Sequence, residues 1–322
     1  MAAPRALLAM VTLGVVAVSV PSSAAAPHGL CAAAADRPGS SRVAVVSAFP
    51  AELAPLVAAA KIEATVQVDG RSYYLATLDG KRVVLGLTGI GMVNAAERSA
   101  SVIRAFAPEA IIFSGVAGSR YRIGDVVVVR KWTEESGGKP IPVNRAMLAL
   151  TRRAVRRLPA PFQNCAGIPP MAPTRTVCLP YAPTVVFGQT GQTGDPYMGH
   201  AIPCVAGGNE LVGCNLPAAP AVVRREPTTE SAASDQEAED EETAVVAGLA
   251  KQGHVPFIAM RAVSDGAGDP LGDRGFPTQF LDYYRLAADN AALVTRALLA
   301  DVARLAGHRR GQGVCHRLAQ RR

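Results

Sequence analysis

The feature that most constrains the fold is a set of short, mostly apolar runs, each followed directly by a glycine-rich or acidic turn. Three of them are Val43–Val46, Ala110–Phe113 and Pro256–Val263. Runs of this kind are typical of strands that are buried on both faces of a sheet. Because helical patterns alternate with these runs, we expect an α/β fold in which helices flank a central mixed sheet, a three-layer α/β/α arrangement.

The rest of the pattern predicts further strands and helices. Strands are expected at Ile62–Val68, Ser72–Leu78, Val83–Leu87, Val126–Val129 and Thr184–Phe187. Helices are expected at Pro50–Ala60, Asn94–Phe106, Asn144–Leu158 with Asn144 as its cap, Glu242–Gln252 and Thr278–Leu305. Residues 159–238 interrupt the alternation because they are rich in proline, glycine and cysteine, and we interpret residues 199–234 as an insertion.

The N-terminus carries the pattern of a secretory signal peptide. Arg5 supplies a positive charge, Leu7–Val20 is a mostly apolar run of 14 residues, and Ser22–Ala26 are all small. The run is shorter than the roughly 20 residues that a bilayer-spanning helix needs, although an uncleaved anchor remains the alternative. We therefore expect a secreted protein without a stable membrane anchor, organised as a signal peptide at 1–26, a linker at 27–41, one domain at 42–306 and a basic tail at 307–322.

Six cysteines lie beyond the predicted cleavage region, and an even number in an exported chain indicates disulfides. Six cysteines allow 15 pairings. We expect two local bridges and one bridge between the chain ends: Cys165–Cys178, Cys204–Cys214 and Cys31–Cys315. A metal site is not expected, because the sequence contains no CxxC and its five histidines do not fall at ligand spacing.

The net charge of +7 does not indicate a nucleic-acid partner. Much of it comes from the C-terminal stretch His308–Arg322 and from a cluster of arginines between Arg152 and Arg157. Aromatic residues make up only 5% of the chain and do not alternate with the basic ones, so no stacking platform for bases is predicted.

Several strands are predicted to end in residues that could form a ligand site. Glu52 follows the first strand, Thr88–Gly91 and Ser114–Gly118 follow two others, and Ser264–Asp265 follows the last. Ligands of open α/β sheets bind at the carboxyl ends of the strands. Two acids at such an edge fit glycosidic cleavage, in which one carboxyl protonates the leaving group and another handles water or sugar hydroxyls.

Other chemistries fit the sequence poorly. The segment Gly89–Asn94 approaches the dinucleotide fingerprint, but asparagine stands where the third glycine belongs and no acid follows at the end of a second strand. The sequence contains neither GxSxG nor a Walker motif. We therefore expect no cofactor.

Six short motifs, in this order, carry a resemblance to a known family: Ser47–Leu53, Thr88–Ala96, Gly115–Gly118, Gly124–Val126, Glu242–Ala244 and Arg261–Asp265. They resemble the nucleoside phosphorylase and nucleosidase superfamily, nearest its 5′-methylthioadenosine/S-adenosylhomocysteine nucleosidase branch. The resemblance covers about residues 42–130 and 239–305. It implies a nucleoside phosphorylase-like fold, a small nucleoside as substrate and a homo-oligomer.

The resemblance also implies roles for individual residues. Asp265 would protonate the leaving purine, Glu52 would orient or activate water, and Arg261 would support that carboxylate. Glu242 would hold the ribose hydroxyls. Further substrate-binding residues would be Phe49, Thr88, Gly115, Val116, Ala117, Gly118, Tyr197 and Met198, with the glycine turn flooring the pocket and Tyr197 stacking on the base.

Purely structural roles and other functions stay open for these residues. Arg261 also fits a structural ion pair, Glu242 a charge in the first turn of a helix, and Tyr197 a surface loop. The glycine turns contain no basic residue to bind phosphate, which favours water as nucleophile over a phosphorylase. Glu241 and Val116 depart from the family pattern, and a non-catalytic nucleoside-binding or storage protein of the same fold is a further alternative.

Overall fold

A computed structural model describes residues 42–216 and 234–319, with side chains up to residue 306. The predicted signal peptide and linker, the second half of the predicted insertion and the Cys31–Cys315 bridge lie outside the described residues. The helices are α1 (Pro50–Ala59), α2 (Met92–Phe106), α3 (Arg145–Ala154), α4 (Thr243–Gln252) and α5 (Thr278–Ala319).

Fourteen strands are found in this part of the chain. The first seven are β1 (Val43–Ser47), β2 (Lys61–Val68), β3 (Arg71–Leu78), β4 (Lys81–Leu87), β5 (Ala110–Arg122), β6 (Val126–Val127) and β7 (Lys131–Glu134). The others are β8 (Ile141–Pro142), β9 (Cys165–Ile168), β10 (Arg175–Cys178), β11 (Val185–Val186), β12 (Thr190–Thr193), β13 (Glu239–Asp240) and β14 (Phe257–Ala267).

Twelve of these strands form one mixed sheet in the order β2-β3-β4-β1-β5-β13-β12-β7-β8, with β14, β6 and β11 branching from β5. The centre of the sheet is parallel, because β1 pairs in parallel with both β4 and β5, and β14 pairs in parallel with β5. Helices α1 and α3 pack against α5, while α2 packs against α4. The predicted α/β fold with a central mixed sheet is confirmed.

The two central strands β5 and β14 are longer than predicted. The sequence pattern predicted that Gly115–Gly118 and Ser264–Asp265 are turns at strand ends, and this was wrong: both stretches lie inside the strands. The pairing of β14 with β5 has register shifts on either side of Asp265. Bulges of this kind redirect a side chain without ending the strand, so the site lies along two extended strands.

The region from 159 to 238 is more regular than predicted. Four strands, β9 to β12, occur there instead of one, and β12 joins the main sheet. Helix α5 continues to Ala319, through most of the predicted tail. Asn144 caps α3 as predicted, since its side chain accepts a hydrogen bond from the Met147 amide.

Two predicted disulfides are present, Cys165–Cys178 and Cys204–Cys214. The first joins the paired strands β9 and β10. The second closes a loop in residues 199–216, which we call the stapled segment. Among the described helices, none combines the length and apolar character that a membrane span requires.

Candidate active site

Arg261 on β14 is the centre of a buried group of charges. Its side chain is 1% exposed and lies against the face of the Phe113 ring, 4.0 Å from the ring centroid. Three carboxylates surround the guanidinium: Asp240 at 2.8 Å from Nε, Glu242 at 3.2 Å from Nη2 and Glu52 at 3.4 Å from Nη1. We call these four residues the Arg261 cluster.

Glu52 lies in the first turn of α1 and reaches across to β5. Its two carboxylate oxygens accept hydrogen bonds from the backbone amides of Ala48, at 2.6 Å, and Val116, at 2.7 Å. The carbonyl of Val116 also accepts a hydrogen bond from Arg261 at 3.1 Å. A single residue of β5 therefore holds both Glu52 and Arg261. Burial raises the pKa of Glu52, and the neighbouring Arg261 opposes this shift.

Glu242 and Asp240 join β13 and α4 to the cluster. One carboxylate oxygen of Glu242 accepts a hydrogen bond from the Gly91 amide at 2.8 Å, and the other faces Arg261. Asp240 accepts from the Thr193 hydroxyl at 2.7 Å and from the Thr243 amide at 3.0 Å. Burial raises the pKa of Glu242 well above its usual range.

Asp265 stands apart from the Arg261 cluster, at the bulge of β14. It is 7% exposed, and its carboxyl accepts a hydrogen bond from the Ser264 hydroxyl at 2.7 Å. Burial raises its pKa to about 6. A carboxyl with this pKa and no cationic partner among its perturbing groups is suited to carry a proton near neutral pH.

The glycines of β5 make room for these acids. A Cβ on Gly115 would lie 2.3 Å from Oε1 of Glu52, and a Cβ on Gly118 would lie 2.8 Å from Oδ2 of Asp265. Real Cβ contacts are not this short, so any larger residue would displace a carboxylate. The glycines therefore serve close approach rather than a turn, and Ala117 between them accepts a hydrogen bond from the Ser264 hydroxyl at 3.3 Å.

Negative charge exceeds positive charge in this region. Glu241, next to Glu242, adds a further carboxyl, and burial together with Asp240 raises its pKa to about 7. Burial opposes the charge of Arg261, but the surrounding carboxylates outweigh it and raise the pKa of the guanidinium. One cation thus faces several acids, and burial favours the neutral form of three of them, Glu52, Glu241 and Glu242.

A cavity lies close to the cluster, since its lining includes Ala48, whose backbone amide donates to Glu52. Phe49 is 7% exposed and packs edge-on against Phe280 and Tyr284, and it lines this cavity together with Thr88 and Gly89. The opposite wall comes from the stapled segment and includes both cysteines of its disulfide. The predicted insertion therefore forms part of a pocket beside the predicted site.

The two residues predicted to contact the base lie differently. Tyr197 is half-buried and covers Gly91, whose φ is +85° and whose Cβ, if present, would lie 2.9 Å from the ring. Gly91 in turn donates to Glu242, so Tyr197 borders the cluster. Met198 is 81% exposed, and the structure does not bring it to the buried residues.

Sequence reasoning missed three contributors to the site. Neither Asp240 nor Thr243 was predicted as a site residue, yet both contact the Arg261 guanidinium or its partners. Arg71, the first residue of β3, lines the cavity. The position of Asp240, two residues before Glu242, could have indicated its role from the sequence. The place of Arg71 in the cavity wall follows only from the pairing of β3 with β4.

The fold and the buried acids define an α/β protein with a carboxyl-rich candidate site. The sequence profile of the phosphorylase superfamily matches residues 42–300. The chain therefore belongs to the phosphorylase superfamily.

Relatives of known sequence agree with this family. The uncharacterized protein Rv2293c of Mycobacterium tuberculosis is 33% identical over 194 residues, which is 55% of this chain and 78% of that protein. A 5′-methylthioadenosine/S-adenosylhomocysteine nucleosidase of Tolumonas auensis is 25% identical over 261 residues, 80% of this chain and 98% of the relative.

Solved structures share the fold at low sequence identity. The 5′-methylthioadenosine/S-adenosylhomocysteine nucleosidase of Neisseria meningitidis, in complex with methylthio-immucillin-A, is similar with a TM-score of 0.55 and 22% identity, covering 81% of this chain and 99% of that one. The futalosine hydrolase of Helicobacter pylori is similar with a TM-score of 0.54 and 15% identity, covering 80% and 97%.

Proposed function

We propose that this protein is a nucleosidase that hydrolyses the N-glycosidic bond of a purine nucleoside, with 5′-methylthioadenosine-type nucleosides as the leading substrate class. The observation that carries the proposal is that two buried carboxyls, Asp265 and Glu52, have different surroundings. Asp265 is held without a cationic partner, while Glu52 is held against Arg261. Nucleosidases among the relatives support the same reaction class.

In this reaction Asp265 acts as the general acid. Its raised pKa of about 6 leaves a substantial protonated fraction at mildly acidic pH. As the bond between the sugar and the base breaks, the carboxyl donates its proton to the purine at N7, and the base leaves neutral. Proton transfer from a positioned acid contributes about 10²- to 10⁴-fold to a rate.

Glu52 acts on the attacking water. Two backbone amides and Arg261 fix the orientation of its carboxylate, so the group does not need to reorient during the reaction. The water oxygen bonds to the anomeric carbon and its proton passes to the carboxylate. The products are a free base and a free sugar.

The charge of the site supports the transition state of this reaction. An N-glycosidic bond breaks through an oxocarbenium-like state with positive charge on the sugar. The carboxylates around Arg261 would stabilise that charge, and Glu242 would accept hydrogen bonds from ribose hydroxyls. Thr88 and Phe49 on the cavity side and Tyr197 beside Gly91 would complete the substrate contacts.

The same charges favour water over phosphate as nucleophile. Arg120 and Arg122 are the basic residues nearest the glycine stretch in sequence, but Arg120 pairs with Glu237 and Arg122 pairs with Asp125. Arg261 already faces three carboxylates. A phosphate dianion would therefore meet net negative charge, whereas a phosphorylase needs a positive site for it.

We further propose that the protein acts outside the cytoplasm. Two disulfides among the described residues are compatible with an oxidising compartment, and the N-terminal pattern of a signal peptide points the same way. A role in scavenging extracellular nucleosides fits this location. The homo-oligomer stays a prediction.

The proposal is tested by incubating mature, oxidised protein with adenosine, inosine and 5′-methylthioadenosine and measuring base release by chromatography. We expect release from the adenosine-type nucleosides at a rate that scales with enzyme concentration. If calorimetry shows binding but no base is released, the protein is a nucleoside-binding protein instead. If it is folded and neither binds nor cleaves these compounds, the proposal is wrong.

A further inference from the structure

We propose that a basic face formed by α3 and the adjoining part of α5 binds the surface of an anionic membrane. It holds the protein there reversibly, with the candidate active site facing away from the lipid. The partner is a bilayer whose phosphate headgroups give it a net negative charge. This inference goes beyond the proposed function and does not depend on it, because it concerns a different part of the molecule.

The basic face contains arginines of α3 and of the short 3₁₀ turn that follows it. Arg145, Arg156 and Arg157 are exposed, and no ion pair among the described residues includes any of them. An exposed arginine elsewhere, Arg104, pairs with Asp69. The three arginines of the basic face therefore present their charge to solvent without a neutralising partner.

The neighbouring part of α5 adds positive charge and does not cancel it. Helix α3 packs against α5, where Asp301 is 1% exposed and accepts hydrogen bonds from Arg153 and Arg304. The side chains of these two arginines are 45% and 49% exposed. Because one buried acid lies beneath two partly exposed cations, the outer surface of this contact is positive.

The sequence continues this charge beyond the described side chains. Helix α5 runs to Ala319, and residues 307–322 contain five arginines and neither aspartate nor glutamate. Clusters of about four to eight basic residues on a helix are typical of segments that bind anionic lipid headgroups. The basic face therefore adjoins a helix end whose sequence has the same charge.

The basic face lies at the end of the sheet opposite the candidate active site. The amide of Asn144, at the start of α3, donates to the carbonyl of Phe257, the first residue of β14. Asp265 is on the same strand, about 25 Å further along, and Glu52 follows the carboxyl end of β1. A membrane bound at the basic face therefore leaves the site open to substrate.

Both ends of the described domain lie at this same end of the sheet. Arg42, just before β1, donates to the carbonyl of Val83 at 3.1 Å. Near the end of α5, the Cβ of Ala303 lies 3.5 Å from the position that a Cβ on Gly80 would take, in the turn before β4. The predicted linker therefore joins the domain at the end that carries the basic face.

The chemistry of this face favours a membrane over a nucleic acid. The aromatic ring beside α3, that of Phe187, is covered by the guanidinium of Arg152 at 4.1 Å from its centroid, so it is not open to stack on a base. Leu305, which follows Arg304, is 37% exposed. An apolar side chain next to basic ones is suited to insert between lipid headgroups.

The test measures co-sedimentation of the mature, oxidised protein with vesicles. Vesicles of phosphatidylcholine are compared with vesicles that also contain phosphatidylglycerol. The proteins are the wild type, Arg156→Gln/Arg157→Gln, the conservative variant Arg156→Lys/Arg157→Lys and a matched control, Arg175→Gln/Arg274→Gln.

The control removes the same charge near the opposite end of the sheet. Arg274 lies in the loop that follows the carboxyl end of β14. Arg175 on β10 pairs with Ile168, which belongs to the same buried cluster as Tyr283 near the start of α5. Both arginines are exposed, and no ion pair among the described residues includes either of them.

We expect the wild type and the control to bind the anionic vesicles and not the neutral ones, with binding that weakens as salt rises. R156Q/R157Q should bind about ten- to thirty-fold more weakly, because each arginine near an anionic surface contributes about fivefold. R156K/R157K should bind as the wild type does, since the surface requires the charge and not the shape of the guanidinium.

Equal binding to neutral and anionic vesicles, or an equal loss in R156Q/R157Q and the control, would overturn the inference. A short DNA duplex at the same salt concentration tests the other polyanion. If the wild type binds the duplex more tightly than the anionic vesicles, and R156Q/R157Q weakens only the duplex complex, the face is a nucleic-acid site instead. No nucleoside enters these measurements, so the failure of either proposal leaves the other standing.

Discussion

The Arg261 cluster and the stapled segment lie on neighbouring sides of the same site but are built in different ways. The cluster is held by regular structure, since Arg261 belongs to β14, Asp240 to β13 and Glu52 to α1. Regular backbone pairing in the stapled segment is limited to a single isolated β-bridge, between Val205 and Gly213. A disulfide closes its loop, and a few tertiary contacts hold it against the rest of the domain.

Those contacts are few and specific. The amide of Ala51 donates to the carbonyl of Glu210 at 2.8 Å, and the Glu210 carboxylate accepts from Arg285 at 2.7 Å and from the Tyr284 hydroxyl. Asn94 donates to the carbonyl of Ile202 at 2.6 Å. The comparison teaches that strands and helix N-termini hold the acidic groups and Arg261, while an irregular segment shapes the cavity wall.

The largest expected effect comes from removing the centre of the cluster. Arg261→Met leaves Glu52, Asp240 and Glu242 buried without their shared cation, which costs about 3–5 kcal/mol of unfolding free energy and abolishes turnover. Urea unfolding measures the loss. The control Arg104→Met breaks an exposed pair with Asp69 and costs about 0–1 kcal/mol. Equal losses in the two variants would contradict a structural and catalytic centre at Arg261.

The next effect separates chemistry from folding. Asp265→Asn keeps an oxygen that can accept from the Ser264 hydroxyl but removes the transferable proton, so kcat falls about 10²- to 10⁴-fold with little change in unfolding free energy. Asp289→Asn on α5, outside the site, serves as the control and keeps its rate. An unchanged kcat in D265N would remove Asp265 from the mechanism.

The two disulfides offer a matched pair for testing the stapled segment. Cys204→Ser/Cys214→Ser and Cys165→Ser/Cys178→Ser open loops of similar length, with sequence separations of 10 and 13. Both double variants are expected to lose about 2–4 kcal/mol of unfolding free energy. Only the first is expected to raise KM, because its cysteines line the cavity. Similar KM values in both variants would show that the segment does not shape the site.

The smallest expected effect concerns pH. Asp265 and Glu241 have pKa values raised to about 6 and about 7, so these two groups bind more protons in the folded state than in the unfolded state. Their contribution to stability is therefore greatest at low pH and is lost as pH rises through these values. Glu241→Gln should be more stable than the wild type at pH 8 and similar at pH 4. Denaturant titrations at both pH values measure this difference. A wild type that is more stable than the variant at pH 8 would contradict the raised pKa of Glu241.

The rate should also fall above about pH 6 as Asp265 ionises.

Much of the cluster could be predicted, because its residues lie on strongly patterned segments. The apolar runs identified the central strands and, with them, Glu52 and the separate Asp265 at predicted strand ends. Arg261 and Glu242 were implied by the resemblance to the nucleosidase branch, and Asp240 was not predicted. The lengths of β5 and β14 could not be predicted, since Gly115 and Gly118 carry the same local signal as turn glycines. Their actual reason, the space taken by carboxylates from other elements, exists only in the folded chain.

Less of the stapled segment could be predicted from the sequence. Its disulfide followed from the spacing of Cys204 and Cys214, but its docking did not. The contacts of Glu210 with Tyr284 and Arg285 join residues about 75 positions apart, and no local pattern indicates such a pairing. The strands β9, β10 and β12 were missed for a related reason, because short strands with little apolar content are specified by their neighbours.

The central claim is that the site delivers water, and not phosphate, to a nucleoside. The most direct test is to follow base release from 5′-methylthioadenosine across a phosphate titration and to identify the sugar product by mass spectrometry. The account predicts a rate that does not depend on phosphate and a free sugar as the product. A rate that rises with phosphate to saturation, together with a sugar 1-phosphate, would contradict it and would remove Glu52 as the residue that directs water.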